Sequence, residues 1–84
     1  MVMKSITINR NLENGQSPVA LFVQTASRFS SQILVQTGSK TVNAKSIMGV
    51  MTLNFGQGEK LEVSAEGEDE QDAINGIAEF LTNN

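Results

Sequence analysis

The sequence predicts an α+β domain in which four largely antiparallel strands form an open sheet with helices on one face. Hydrophobic residues alternate at strand spacing in four segments and recur at helix spacing in the others. The predicted elements follow the order β-α-β-β-α-β-α, and most strands have one apolar face. Such strands need helices on one side of the sheet only, so residues 1–84 are interpreted as a single domain.

The chain begins with a strand whose apolar residues share one face. These are Val2, Ile6 and Ile8, with Lys4 as the exception. The polar residues 9–15 predict a loop. Ser17 and Pro18 then predict a helix start, because serine can bond a free backbone N–H and proline loses only an unpaired one. Apolar residues at helical spacing continue this helix: Val19, Phe22, Val23, Ala26 and Phe29.

A β-hairpin follows, with its turn at residues 37–40. Its two strands are predicted from alternating apolar residues: Ile33 and Val35, then Val42 and Ala44. Residues 46–53 predict one or two turns of helix, and the two glycines within residues 54–58 predict a loop.

The last strand and the last helix have the clearest patterns in the chain. The strand alternates apolar with polar residues, its apolar members being Leu61, Val63 and Ala65. The helix is predicted from about Glu70, with Asp69 as its cap and an acidic first turn that suits the helix dipole. Its apolar residues are Ala73, Ile74, Ile77, Ala78 and Leu81, with Phe80 beside them.

Composition excludes several classes of function. The net charge of −3 argues against non-specific nucleic-acid binding, which would need a basic face. The chain has no cysteine and no histidine, which excludes disulfides and thiolate metal sites and removes the commonest catalytic nucleophile and proton shuttle. The carboxylates of residues 66–70 lack EF-hand spacing and are interpreted as a solvated helix start. We therefore expect a protein that is not an enzyme and has neither metal nor cofactor.

No membrane segment is predicted. No apolar run approaches the roughly 20 residues that a membrane-spanning helix needs, and residues 1–5 do not resemble a signal peptide. We therefore expect a soluble, cytoplasmic protein.

The most informative segment is a serine followed by a methionine-rich apolar run, Lys45-Ser46-Ile47-Met48-Gly49-Val50-Met51. The hydroxyl of Ser46 is placed to cap the short helix, and a phosphate there would meet the positive end of the helix. Because so short a helix cannot turn all its apolar residues inward, at least one should be exposed as a docking surface. The simpler alternatives are a serine that is only a cap and methionines that belong to the core.

Three segments, together with the order of the elements, match a known family: Pro18-Val19-Ala20-Leu21-Phe22-Val23, Asn43-Ala44-Lys45-Ser46-Ile47-Met48-Gly49-Val50-Met51 and Ala65-Glu66-Gly67-Glu68-Asp69-Glu70-Gln71. Through them the chain resembles the phosphocarrier protein HPr family over essentially its whole length. The resemblance implies an HPr-like open-faced β-sandwich, a four-stranded antiparallel sheet with three helices on one face. It also implies that Ser46 is a phosphorylation site and that Ile47, Met48 and Met51 bind partners.

One motif departs from the family. Members carry a phosphohistidine just before the first helix, followed by an arginine, where this chain has Gly15, Gln16 and Ser17. No alignment supplies an imidazole, and neither glycine nor an amide can replace one as a nucleophile. We interpret these residues as a degenerate phosphohistidine site. The loss of the histidine resembles the regulatory branch of the family, the catabolite repression HPr-like proteins.

The resemblance to that branch implies a regulator of carbon catabolite repression. HPr kinase/phosphorylase would phosphorylate Ser46, and the product would act as corepressor of a LacI-type transcriptional regulator through Ser46, Ile47, Met48 and Met51. The repressor would contact DNA, and this chain would not. Ser17 stands where the family's arginine also contacts the repressor, which predicts weaker binding or another partner. The resemblance further implies that the chain could exchange its first strand in a swapped homodimer, with residues 9–15 as hinge.

Two alternatives belong to other functional classes. One is a phosphocarrier of the phosphoenolpyruvate-dependent sugar phosphotransferase system. The other is a binding module that acts through its methionines without phosphorylation. Phosphoryl transfer from enzyme I would identify the first, and a Ser46→Ala variant with unchanged partner binding would identify the second.

Overall fold

Seven elements follow one another in the predicted order. The computed structural model describes residues 1–9, 18–53 and 58–82. The elements are β1 (Val2–Thr7), α1 (Pro18–Ser27), β2 (Gln32–Thr37), β3 (Lys40–Asn43), α2 (Ile47–Met51), β4 (Lys60–Glu66) and α3 (Glu70–Thr82). The predicted cap at Ser17, and most of the loops predicted at residues 9–15 and 54–58, lie outside the described residues.

The four strands form one antiparallel sheet in the order β1-β4-β2-β3. β4 lies in the middle, where Val63 faces Lys4 of β1 on one side and Val35 of β2 on the other. β2 and β3 form the predicted hairpin, and Gly38 supplies the positive φ of +60° in its turn. β1 and β3 are therefore the edge strands, and the predicted open antiparallel sheet is confirmed.

A hydrophobic core separates the sheet from the helices. Its members are Ile6, Ile8, Phe22, Ala26, Ile33, Val35, Ala44, Val50, Leu53, Leu61, Val63, Ala65, Ala73, Ile74, Ile77, Phe80 and Leu81. The strand members come from the predicted face of each strand, and Lys4 is exposed as the expected exception. α1 meets α3 through the rings of Phe22 and Phe80, whose centroids are 5.9 Å apart at 62°, an edge-to-face contact.

The end of α1 differs from the prediction, because the helix ends at Ser27 and Phe29 lies beyond it. The backbone N–H groups of Arg28 and Phe29 bond carbonyls three residues earlier, so the last turn is tightened. This turn brings Ser30 and Ser31 towards the start of α3. The Phe29 ring then packs over Gly76 of α3, where a Cβ atom would lie 2.6 Å from the ring Cζ.

Asp69 lies at the start of α3, as predicted, but its side chain has another role. Its carboxylate accepts hydrogen bonds from the backbone N–H groups of Ser30 and Ser31, both at 2.9 Å, and from the Ser31 hydroxyl. Gly67 allows this close approach, because its φ is +153° and a Cβ there would lie 2.7 Å from the Ser31 Cα. The acidic segment 66–70 is thus partly a tertiary anchor, and its interpretation as a solvated helix start is only partly right.

In the described part of the chain, no helix combines the length and the apolar character that crossing a bilayer requires.

Candidate functional site

The Ser46 side chain caps α2 and faces solvent. The residue has extended backbone (φ −102°, ψ 112°), and its Oγ accepts a hydrogen bond from the Gly49 N–H at 3.2 Å. This geometry confirms the predicted cap. Because Ser46 is exposed, a modifying enzyme can reach the same hydroxyl. Capping and phosphate acceptance are therefore compatible at this position.

Helix α2 is held against the protein by few contacts. Val50 is fully buried, and Leu53, just after the helix, is nearly so. Gly49 lies close to β3, since a Cβ there would lie 3.2 Å from Val42 Cβ and 3.4 Å from Ser46 Oγ. A glycine at this position lets the helix lie close to the sheet and leaves the hydroxyl uncrowded.

The rest of α2 presents an apolar surface to solvent. Ile47 is 48% exposed, Met51 66% and Met48 79%. We call these three residues the α2 patch. Val50 faces inward, whereas Met48 and Met51 lie on other sides of the helix. Ile47, three residues before Val50, lies on the same side as Val50 but is only half covered. None of the three is a core residue, which favours the docking interpretation over the simpler alternative. Their role in partner binding stays a prediction.

Two lysines flank the α2 patch. The Lys45 ammonium donates to the Phe29 carbonyl oxygen at 2.7 Å, and the Lys45 backbone N–H donates to Asn43 Oδ1 at 2.8 Å. At the other end of the helix, the Lys40 ammonium lies 3.4 Å from the Thr52 carbonyl oxygen. The sequence contains no Asp or Glu from residue 14 to residue 58. The sequence neighbours of Ser46 therefore carry no negative charge, which favours the addition of a phosphate.

Sequence reasoning missed the position of the Lys45 side chain. The sequence shows a lysine directly before the serine, but the carbonyl oxygen that its ammonium bonds belongs to Phe29, which lies 16 residues earlier in the chain. No periodicity or motif pairs those two residues. Only the packing of α2 against the end of α1 brings them together.

The residues of the degenerate phosphohistidine site, Gly15, Gln16 and Ser17, lie outside the described residues. The chain contains no histidine at all. Among the described residues, no group of three or more His, Cys, Asp or Glu side chains could hold a metal ion.

The comparisons with known proteins agree with this fold. A family model described as "PTS HPr component phosphorylation site" matches residues 2–83. The chain belongs to the HPr family. The HPr-like protein Crh of Halalkalibacterium halodurans is 42% identical to it over 81 residues, which cover 96% of each chain. The family predicted from the sequence is therefore confirmed.

Solved HPr structures confirm the fold as well. HPr-C-His from Thermoanaerobacter tengcongensis matches with a TM-score of 0.86 and 48% identity, covering 96% of this chain and 91% of that one. Crh from Bacillus subtilis matches with a TM-score of 0.71 and 39% identity, covering 90% of this chain and 83% of that one. The latter structure is described as an intertwined dimer with a swapping domain.

Proposed function

We propose that this chain is an HPr-like regulator of carbon catabolite repression that receives a phosphate on Ser46 and docks through the α2 patch. It would act in the cytoplasm as a single domain of residues 1–84, without catalysis of its own. The observation that carries the proposal is the exposed Ser46 hydroxyl directly beside three exposed apolar side chains. Its similarity to HPr-like proteins named Crh supports the assignment to catabolite repression.

The modification would be an ordinary phosphoryl transfer. HPr kinase/phosphorylase would move the γ-phosphoryl group of ATP to Ser46 Oγ, forming a P–O bond as the hydroxyl loses its proton and ADP leaves. The product adds a charge of about −1.5 to −2 at neutral pH. The local lack of carboxylates means that this charge meets no repulsion from neighbouring sequence positions.

Docking would combine the new charge with the α2 patch. A LacI-type repressor would offer an arginine or lysine to the phosphoserine and a pocket to the apolar side chains. Met48 should contribute most, because it exposes the most surface and its flexible thioether adapts to an irregular pocket. The resemblance implies that the family's repressor contact also uses an arginine that is Ser17 in this chain, so we expect weaker binding or another partner.

The first test is phosphorylation itself. We expect the intact mass to rise by one phosphoryl group after incubation with HPr kinase/phosphorylase and ATP, with the modification mapped to Ser46. Ser46→Ala should remove the modification, whereas Ser39→Ala, an exposed serine in the β2–β3 turn, should leave it unchanged. An unmodified wild-type mass, or a phosphate on another residue, would contradict the proposal.

The second test is docking of the phosphorylated form on an immobilised LacI-type repressor. We expect Met48→Ala to weaken binding by roughly 10-fold or more, as truncation of a central apolar side chain does. Met3→Ala is the matched control, since Met3 is 65% exposed but lies on β1. Equal binding by the phosphorylated and unphosphorylated chains would instead support the binding module that acts without phosphorylation.

The phosphocarrier remains the second candidate, because the family model that matches is named for a phosphotransferase component. It requires a nucleophile whose phosphorylated form stays reactive, and no imidazole exists in this chain. We therefore expect no acid-labile adduct after incubation with enzyme I and labelled phosphoenolpyruvate. Such an adduct on this protein would establish the phosphocarrier function.

We also propose that the chain can form a homodimer by exchange of β1. Within the described sheet, β1 is an edge strand that pairs with β4 alone, so a second copy can supply it without any change in the order of the sheet. The description of the Bacillus subtilis Crh structure as an intertwined dimer supports this proposal. The predicted hinge, residues 9–15, falls outside the described residues except for Asn9.

A further inference from the structure

Lys45 links the Ser46 segment to the end of α1. Lys45 is half-buried, and its ammonium lies 2.7 Å from the carbonyl oxygen of Phe29. Phe29 is the second residue after the end of α1. A carbonyl at a helix end has no partner within the helix, and a cation there satisfies it. In the unmodified protein, Lys45 thus fastens α2 to the segment of residues 28–31, which we call the α1–β2 loop.

Besides its backbone hydrogen bonds to the end of α1, the α1–β2 loop is attached to the α3 side of the molecule. The ring of Phe29 packs over Gly76, and the N–H groups of Ser30 and Ser31 donate to the Asp69 carboxylate. The loop therefore connects the residue before the phosphorylation site with the first two turns of α3.

We propose that Lys45 is a positioning residue that moves its ammonium from the Phe29 carbonyl oxygen to the phosphate on Ser46. Phosphorylation would then loosen the α1–β2 loop as well as change the surface of α2. The proposal rests on the proposed modification of Ser46 and assigns to its neighbour the task of transmitting it.

The relative strength of the two bonds drives the exchange. The ammonium now bonds a neutral carbonyl, and a phosphate on the next residue would offer a dianion with three acceptor oxygens. The flexible four-carbon stem of lysine allows the change without movement of the backbone. The carboxylate bonded to this loop is that of Asp69, which accepts from the Ser30 N–H on the other side of the same peptide group and is held by its own donors, Ser30 and Ser31. The Phe29 carbonyl would then be left to water.

The test uses a chain with phosphoserine placed at position 46 during synthesis, so that no kinase is needed. ³¹P NMR titration would measure the second pKa of the phosphate. We expect that pKa to be higher by about 0.5 in Lys45→Met than in wild type, because the cation no longer favours the dianion. Lys40→Met, which removes the lysine at the other end of α2, is the matched control and should leave the pKa near the wild-type value.

Amide hydrogen exchange would measure how readily the backbone N–H groups of the α1–β2 loop become exposed to solvent. We expect phosphoserine to speed exchange at Phe29, Ser30 and Ser31 by roughly threefold in wild type. Lys45→Met should show that faster exchange without phosphate, with no further change on phosphorylation. Lys45→Arg, which keeps the charge, should restore the response of both the pKa and the exchange. Unfolding curves for each variant would show that the domain is folded.

Two results would overturn the inference: a phosphate pKa that is the same in wild type and Lys45→Met, or loop exchange that does not respond to the phosphate. A chain that the kinase does not modify would instead contradict the proposed function and leave these measurements valid, because they start from a phosphate already in place.

Discussion

At the scale of single residues, two short polar side chains at helix starts have different roles. Ser46 bonds the Gly49 N–H of its own helix, whereas the Asp69 carboxylate bonds Ser30 and Ser31 in another part of the chain. The roles differ because the two side chains have different hydrogen-bond donors near them. α2 lies at the surface, so its cap finds only local donors. The start of α3 lies against the α1–β2 loop, where the N–H groups of Ser30 and Ser31 donate to the Asp69 carboxylate.

The Asp69 contacts predict a pH dependence of stability. The Ser31 hydroxyl, then the backbone N–H of Ser30, lower the pKa of Asp69 from the ordinary 3.8 to about 2. A lowered pKa in the folded state means stability that is present above about pH 4 and is lost as the pH falls towards 2. Asp69→Asn should therefore have a lower free energy of unfolding than wild type at pH 7, with the difference shrinking below pH 4.

Urea unfolding at a series of pH values would measure this difference. Asp72→Asn, an exposed acid in the first turn of the same helix, is the control and should change stability less at pH 7. A constant difference between Asp69→Asn and wild type from pH 7 to pH 2 would show that the hydrogen bonds do not depend on the charge.

At the scale of elements, the helices differ in how much of their surface is covered. α3 buries five side chains against the sheet and α1, whereas α2 buries only Val50. A helix of five residues has little stability alone and depends on its cap and its contacts. α2 can therefore present most of its side chains to a partner, while α3 supports the fold. A glycine allows a close contact in both helices: Gly49 of α2 lies against Val42, and Gly76 of α3 lies against the Phe29 ring.

The contact at Gly76 predicts an unusual response to alanine. Alanine in a helix interior is normally more stable than glycine by about 1 kcal/mol. Here its Cβ would lie 2.6 Å from the Phe29 ring, and crowding of that kind costs about 1–3 kcal/mol. We expect Gly76→Ala to lower the free energy of unfolding by about 1 kcal/mol in wild type and to raise it by about 1 kcal/mol in a Phe29→Ala background.

Urea denaturation of the four proteins in this double-mutant cycle would measure the change of sign. Asn75→Ala, at an exposed position of α3, is the control and should have the same effect in both backgrounds. If Gly76→Ala stabilised the protein whether or not Phe29 was present, the ring would not be what requires glycine.

At the scale of the whole molecule, the order of the strands divides the fold into two sides. Eight of the nine acidic residues occur from Glu59 onward, in β4 and α3 or directly beside them. α3 packs on β1 and β4 at one side of the sheet, whereas α2 packs on β3 at the opposite edge. The proposed docking surface thus lies at the β3 edge of the sheet, and the exchangeable strand β1 forms the opposite edge.

The strand order also predicts how a swapped dimer can be detected. Met3 of β1 faces Ser64 of β4, and a Met3→Cys, Ser64→Cys variant of this cysteine-free chain can form one disulfide there. When β1 stays in its own chain, the disulfide is intramolecular. When β1 is exchanged, it joins two chains. After refolding at high protein concentration and oxidation, we expect a covalent dimer on non-reducing gels.

Wild-type protein in size-exclusion chromatography with light scattering would give the mass without a disulfide. A dimer in solution whose double-cysteine variant runs only as a monomer under denaturing conditions would indicate association without exchange of β1. A monomer at every concentration, with no covalent dimer, would contradict the proposal.

Much of the fold was predictable because its signals are local. The alternation in β4 requires only that one face be buried, and Leu61, Val63 and Ala65 are buried as predicted. The cap at Ser46 was predictable because a serine directly precedes the helical segment. The exposure of an apolar side chain such as Met48 was predictable because α2 is too short to bury all of its apolar residues. The end of α1 was placed too late because Phe29 fits the helical spacing, while the turn that removes it from the helix serves contacts with α3.

The amino-acid sequence by itself determined the order of elements, the buried face of each strand, the family and the absence of an imidazole, since each depends on residue type or short spacing. Only the tertiary structure decided that Lys45 bonds Phe29, that Asp69 holds Ser30 and Ser31, and that Gly76 lies under an aromatic ring. Those pairs lie 16 to 47 positions apart in the chain. Local sequence does not specify such a partner. Two distant residues meet only because their elements pack on the same hydrophobic core.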